Sequence, residues 1–167
     1  MARPKTKYKL ETLQAIYQAN LARYQNLVDS NNTVDTKNGI LIGAILAVGV
    51  FIFQEPLFTK AIYSCYYADY RMICLLVVGT MILLASLAVS ILAIWPRKWQ
   101  FPSNTLDEQP TYVEMEPADV TLQLISDIES SMEENKKRAD FKAVLFMVGL
   151  GLFIFATFLL IIVQQNV

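Results

Sequence analysis

The segment Met72–Trp95, MICLLVVGTMILLASLAVSILAIW, carries no charged residue along its whole length. A transmembrane α-helix needs about 20 consecutive apolar residues to cross a hydrocarbon core about 30 Å thick, so this segment qualifies as it stands. Ala143–Val163 is a second uncharged run of sufficient length, and Gly39–Phe53 is a shorter one. The sequence therefore predicts an all-α membrane protein with three transmembrane helices, at about residues 38–55, 72–95 and 143–163.

The overall composition agrees with a membrane protein and disfavours an enzyme. Of the 167 residues, 54% are hydrophobic, 17% are charged and none is histidine. The absence of histidine removes the commonest general base and the commonest metal ligand. The chain has no phosphate-binding glycine loop and no Ser/His/Asp or Cys/His constellation, and Cys65 and Cys74 match no metal spacing. We expect no enzymatic activity, no metal and no cofactor. Cys65 could join a disulfide only in an oxidising compartment.

Lysine and arginine residues are distributed unevenly between the predicted loops. Six precede the first span, six lie between the second and third, two lie between the first and second, and none follows the third. By the positive-inside rule, the N-terminus and the long loop are cytoplasmic and the C-terminus is outside. The aromatic residues fit this orientation, with Tyr63, Tyr66, Tyr67 and Tyr70 in the outer loop and Trp95, Trp99 and Phe101 at the inner boundary.

The polar residues around the first and third spans predict helical extensions. Residues 1–37 and 119–142 are expected to form cytoplasmic amphipathic helices, and residues 96–118, with four prolines, an extended linker. The two apolar stripes consist of Leu10, Leu13, Tyr17, Asn20, Tyr24 and Leu27, and of Leu124, Ile125, Ile128 and Met132. The helices either pack on each other or on neighbouring subunits, or lie on the lipid surface. Because the second stripe is strongly acidic, anionic lipid would repel it, and packing is favoured.

A short Asp-x-Lys motif precedes two of the spans. Asp35-Thr36-Lys37 leads into the first and Asp140-Phe141-Lys142 into the third. A lysine here can extend its ammonium to the headgroups, and an aspartate marks the last depth at which an anion is tolerated. The similarity reflects either a weak duplication or shared boundary chemistry, with the second favoured slightly. We take Asp35, Lys37, Asp140 and Lys142 as candidates for gating at the membrane boundary.

Small residues recur inside the spans. Gly39, Gly43 and Ala47 repeat every four residues, and Gly79, Ser86 and Ser90 share one face of the second span. Helix packing is the simpler explanation for both patterns. The alternative is that Gly79, Ser86 and Ser90 line a weakly polar pore, which three helices can enclose only in an oligomer. No span contains an ionisable residue, which disfavours proton-coupled transport and voltage sensing.

One basic cluster precedes the third span. Lys136, Lys137 and Arg138 could contact the phosphate of a ligand, but anchoring of the span by the positive-inside rule is the simpler explanation.

The order of these features resembles a known class of proteins. The features are, in order, a helix rich in Tyr, Asn and Leu, Asp35-x-Lys37, a first span that contains several glycines, Trp95-Pro96 at the end of the second span, a proline-rich linker, Asn135 and Asp140-x-Lys142. In this order they are similar to the SLATT-type and Pycsar-type transmembrane effectors of bacterial nucleotide-signalled antiphage defence. The similarity covers roughly residues 20 to 163. Many such effectors have two or four spans, whereas this chain has three predicted ones.

The resemblance implies a toxic protein of the bacterial inner membrane. It would stay silent until it binds a nucleotide second messenger made by a partner nucleotidyltransferase or cyclase. It would then act as a homo-oligomeric pore or ion channel, for example a tetramer, that disrupts the membrane and aborts infection. Duplex nucleic acid is not an expected partner. The alternative is a non-conducting scaffold or accessory subunit whose helices dock a cytoplasmic partner.

Overall fold

The computed structural model describes residues 9–54, 70–95, 99–101 and 115–166. Within these ranges the chain is all-α and forms three helices, α1 (Leu10–Gln54), α2 (Tyr70–Ile94) and α3 (Pro117–Asn166). Each helix is long and apolar enough to cross a membrane. The predicted fold class is therefore confirmed.

Helices α1 and α3 are much longer than a membrane span requires. They contain 45 and 50 residues respectively. At 1.5 Å per residue each is about 70 Å long, against a hydrocarbon core of about 30 Å. Each therefore carries its apolar segment and its polar extension in one uninterrupted helix, as the sequence predicts.

The ends of the helices follow from local chemistry. The Trp95 amide donates to the Ile91 carbonyl (3.0 Å), and the proline that follows Trp95 in the sequence cannot continue the ladder. Helix α3 begins at Pro117, a position where the missing amide hydrogen is no loss, and the Glu116 carbonyl accepts from Asp119 and Val120. The loop between the first two spans, with Cys65 and Lys60, and most of the predicted linker lie outside the described residues.

The chain forms two compact units. The extension unit comprises Met1–Asn32 and Arg97–Asp140, and the span unit comprises Thr33–Pro96 and Phe141–Val167. In the extension unit the predicted stripes face inward, with Leu13, Tyr24, Ile125 and Ile128 buried, while Leu10, at the start of α1, is exposed. Burial of both stripes favours packing over two helices lying flat on lipid.

The core of the span unit draws on all three helices. It includes Leu41 and Ile45 of α1, Leu76 and Leu83 of α2, and Ala156, Leu160 and Val163 of α3. The outward surface is apolar as well, with Ile40, Met81 and Phe158 exposed. An outward apolar face of this kind is what a lipid-facing helix requires.

Candidate functional site

The predicted polar face of the second span is buried. Gly79, Ser86 and Ser90 all lie against α3. The Ser86 hydroxyl donates to the Gly149 carbonyl across this contact at 2.7 Å. In the single chain this face is therefore covered and lines no open channel, so the pore-lining role predicted for it requires α2 and α3 to separate.

Two glycines make the close contact between α2 and α3 possible. A Cβ atom on Gly149 would lie 2.8 Å from the Ser90 hydroxyl oxygen, and one on Gly79 would lie 3.1 Å from a methyl carbon of Leu160. Gly39, Gly43 and Gly151 differ, since a Cβ there would meet nothing within 4 Å. The glycine and serine residues of this interface thus serve helix packing, the simpler explanation above.

The Ser90 hydroxyl differs from the threonine hydroxyls of the spans. Thr80 and Thr157 satisfy their hydroxyls by donating to the carbonyls of Leu76 and Phe153, one turn back, at 2.8 Å each. Ser90 is fully buried, and its oxygen has no hydrogen-bond partner within the described part of the chain. An unsatisfied buried hydroxyl costs about 1–3 kcal/mol, so this contact is less stable than its packing suggests.

The two Asp-x-Lys motifs pair crosswise. Lys142 of α3 donates to both carboxylate oxygens of Asp35 of α1, at 2.9 Å each. The Lys142 side chain is 8% exposed and that of Asp35 33% exposed, whereas Lys37 and Asp140 are exposed residues. Sequence reasoning gave all four residues the same boundary role. The structure instead joins one from each motif in a buried ion pair and leaves the other two on the surface.

A buried amide lies one turn from the ion pair. Asn38 is fully buried on α1, three residues after Asp35, and its Nδ2 donates to the Val34 carbonyl at 3.2 Å. Its Oδ1 is buried and has no hydrogen-bond partner among the described residues. Asn38 was not among the predicted site residues. The sequence signal that could have identified Asn38 is its position between Asp35 and the apolar run of the first span. At that depth in the membrane, burying a polar group costs free energy.

The extension unit contains a larger hydrogen-bonded cluster. Asn135, fully buried on α3, binds the backbone of Gln100 at both ends of its amide: Oδ1 accepts from the Gln100 N–H (3.0 Å) and Nδ2 donates to its carbonyl (2.6 Å). The Tyr24 hydroxyl donates to the same carbonyl at 3.2 Å and accepts from the Trp99 indole at 3.0 Å. This cluster holds the segment Trp99–Phe101 against both helices.

A second amide contact joins the same two helices. Asn20 donates from Nδ2 to the Glu129 carboxylate at 3.1 Å. The sequence analysis placed Asn20 in the α1 stripe and Asn135 before the third span, without giving either a partner.

The basic cluster is partly engaged by acids of its own helix. Lys137 binds Glu133 at 2.8 Å and Arg138 binds Glu134 at 3.1 Å, each one turn back. The hydrogen bond and the charge of Lys137 lower the pKa of Glu133, and those of Glu133 raise the pKa of Lys137. Lys136 is exposed. Because carboxylates already neutralise two of the three cations, the geometry favours anchoring over a preformed phosphate site.

The extension unit also has an open groove of about 500 Å³ between α1 and α3, lined by Gln14, Ala15, Tyr17, Gln18, Thr121 and Leu124. These lining residues offer an aromatic ring and neutral polar groups but no cation. Such a lining suits an uncharged planar group better than a phosphate.

No metal centre appears in the described ranges. They contain no group of three or more Cys, Asp or Glu residues that could hold an ion. Cys74 is exposed and is a free thiol. Cys65 lies outside the described residues, so its redox state stays open.

Comparisons with protein-family models, with curated proteins and with solved structures find no match to this chain.

Proposed function

We propose that this chain is a membrane effector of bacterial antiphage defence that oligomerises into a nucleotide-gated pore. The observation that carries the proposal is the covered face of Gly79, Ser86 and Ser90. This face is weakly polar and uncharged, and the unpartnered Ser90 hydroxyl would gain water if α2 and α3 moved apart. The chain therefore has the properties of a closed state whose weakly polar face would become exposed on opening.

Assembly would use the small-residue stripe of α1. Gly39, Gly43 and Ala47 are exposed, and the two glycines have no neighbour within 4 Å of a built Cβ. Exposed small residues at four-residue spacing let transmembrane helices approach closely. Several copies packed along α1 would supply the ring that one chain with three spans cannot form.

The ligand and the orientation complete the proposal. A nucleotide second messenger from a partner nucleotidyltransferase or cyclase would bind the extension unit, either with a base in the groove beside Tyr17 or with a phosphate on Lys136. One nucleotide would not reach both, because Leu124 of the groove and Lys136 are about 18 Å apart along α3. Lys137 would contribute only after leaving Glu133, whereas Arg138 binds Glu134 through Nη2 and keeps Nη1 without a hydrogen-bond partner among the described residues. The N-terminus would lie in the cytoplasm and the C-terminus outside, which reporter fusions at the two ends would test directly.

Ion flux from liposomes carrying the full chain tests the function. We expect no potassium efflux from loaded liposomes without ligand, and efflux when one member of a panel of cyclic mono-, di- and trinucleotides is added. Ser90→Ala removes the unpartnered hydroxyl, so it should stabilise the closed state and reduce the efflux. Ser126→Ala, at an exposed position of α3, is the matched control and should not. Silence with the whole panel, together with unchanged membrane potential on overexpression in cells that make the messenger, would reject the pore.

A non-conducting scaffold is the second candidate. It is favoured by Ile16 and Leu122, which are 42% and 37% exposed in the extension unit although both are large and apolar. Such side chains can dock a soluble partner. Stable co-purification with one soluble protein, lost in Ile16→Ser and combined with no efflux, would establish the scaffold instead.

A further inference from the structure

A second groove in the molecule lies inside the span unit. Its volume is about 290 Å³ and it runs between α1 and α3. Except for one cation, the side chains along it are apolar: Lys37, Ile40 and Ala44 come from α1, and Phe146, Leu150 and Phe153 come from α3. The cation, Lys37, comes from α1 and is the first residue of that wall in the sequence.

We propose that this groove binds one anionic phospholipid, with an acyl chain along the apolar walls and the phosphate on Lys37. The proposal concerns the chain as a membrane protein and does not depend on pore formation.

The dimensions of the groove fit the acyl chain of one leaflet. Its walls extend from Lys37 to Ala44 and from Phe146 to Phe153. Seven helical steps are about 10 Å, and the hydrocarbon of one leaflet is about 15 Å deep. A lipid tail starting at the Lys37 end would therefore follow most of the groove within its own leaflet.

The charge at the mouth selects the headgroup. Lys37 is exposed and makes no ion pair within the described ranges, whereas Lys142, the equivalent lysine of the other motif, is neutralised by Asp35. No acidic residue lines the groove. A single positive charge at the end of an apolar groove near the membrane boundary complements a phosphodiester headgroup with net negative charge better than a zwitterionic one.

The two phenylalanines give the groove a fixed shape. Phe146 and Phe153 are half-buried and pack against the core of the span unit. Their rings therefore have limited freedom to close the groove. Ala44 opposite them leaves the space that a larger side chain would fill.

Native mass spectrometry of the full chain, released from nanodiscs of equal phosphatidylglycerol and phosphatidylethanolamine, tests the proposal. The wild type should retain one phosphatidylglycerol in preference. Lys37→Gln should reduce that preference about fivefold, the value of one lysine near an anionic surface. Arg23→Gln, which removes an exposed cation of the extension unit that lines neither groove, should leave it unchanged.

A second pair of variants tests the apolar walls. Ala44→Phe should abolish retention of both lipids, whereas Ala88→Phe, at an exposed position of α2 outside the groove lining, should not. Equal loss in Lys37→Gln and Arg23→Gln would show nonspecific charge attraction and overturn the proposal. It would also be overturned if Ala44→Phe and Lys37→Gln altered the subunit count of a lipid-free protein, because a second copy would then occupy the groove.

Discussion

The cluster around Asn135 in the extension unit and the helix contacts of the span unit both bury polar side chains but satisfy them differently. In the extension unit, the buried amide of Asn135 uses both its donor and its acceptor on the Gln100 backbone, and Tyr24 bonds the same carbonyl. In the span unit, Asn38 and Ser90 each keep a buried oxygen without a hydrogen-bond partner among the described residues. The same unit also contains the ion pair of Asp35 and Lys142 and the hydrogen bond from Ser86 to the Gly149 carbonyl.

This difference indicates which contact is built to stay together. A fully satisfied polar cluster specifies one arrangement, because any other arrangement leaves buried groups unpaired. Unsatisfied oxygens between transmembrane helices make separation less costly, since water can reach them in a separated state. The cluster around Asn135 therefore has the properties of a fixed contact, although Arg138, elsewhere in the extension unit, keeps a buried Nη1 without a hydrogen-bond partner among the described residues. The contact between α2 and α3 has the properties of one that can open.

The largest effect should come from the ion pair of the span unit. Asp35→Asn leaves the Lys142 ammonium buried without a countercharge, and we expect a loss of about 3 kcal/mol in unfolding free energy. Lys142→Met should cost less, because the Asp35 carboxylate it leaves is one-third exposed. The free energy is measured by reversible denaturation in mixed micelles.

The exposed members of the two motifs are matched controls for this experiment. Asp140→Asn and Lys37→Met should stay within about 0.5 kcal/mol of the wild type. Equal losses in Asp35→Asn and Asp140→Asn would contradict the crosswise pairing.

The next effect tests the satisfied cluster of the extension unit. Asn135→Ala removes the hydrogen bonds that the Asn135 amide makes with the N–H and the C=O of Gln100. We therefore expect a loss of about 2 kcal/mol in the free energy of unfolding. In a Trp95→Phe background, Trp99 is the single tryptophan, and its emission should shift to the red as the segment detaches.

Asn26→Ala is the control for this cluster. Asn26 is exposed on α1, so its replacement should change neither stability nor emission. A red shift in both variants would mean that the emission does not report on the Asn135 contact.

A smaller effect tests the packing of α2 on α3. Gly149→Ala brings a Cβ to 2.8 Å from the Ser90 hydroxyl oxygen, and we expect a loss of about 1 kcal/mol as Ser90 shifts. Adding Ser90→Ala should restore much of it, because the clashing atom is gone. Gly151→Ala meets no neighbour and should be neutral or slightly stabilising through its helix propensity. If Gly149→Ala and Gly151→Ala behave alike, the two helices do not approach closely at Gly149.

The smallest effect is the pH dependence of the exposed pair Glu133–Lys137. Since folding lowers the pKa of Glu133 from 4.5, its contribution to stability is present above pH 4.5 and is lost as the pH falls through the lowered value. Glu133→Gln should therefore reduce stability slightly at pH 7 and leave it unchanged at low pH. The difference should shrink in 1 M salt, where exposed charges are screened. A difference that grew at low pH would contradict the assignment.

Much of the fold could be predicted from the sequence. The three uncharged runs predict three helices. A backbone in hydrocarbon has no water to bind, so it satisfies its hydrogen bonds within the helix, independently of tertiary contacts. The stripes around Leu13 and Ile128 likewise determine which faces of the extensions turn inward. The continuity of α1 and α3 followed from the absence of proline and of a helix stop before each span.

The partners of the polar groups were decided only by the tertiary structure. The two Asp-x-Lys motifs look equivalent in sequence, yet Asp35 and Lys142 pair while Lys37 and Asp140 stay on the surface. The unpartnered oxygens of Asn38 and Ser90 were equally invisible. The composition of each segment determines whether it can enter the membrane. Which side chains come within about 3 Å of each other depends on the rotation and depth of each helix against its neighbours. That rotation and depth depend on packing along the whole helix contact.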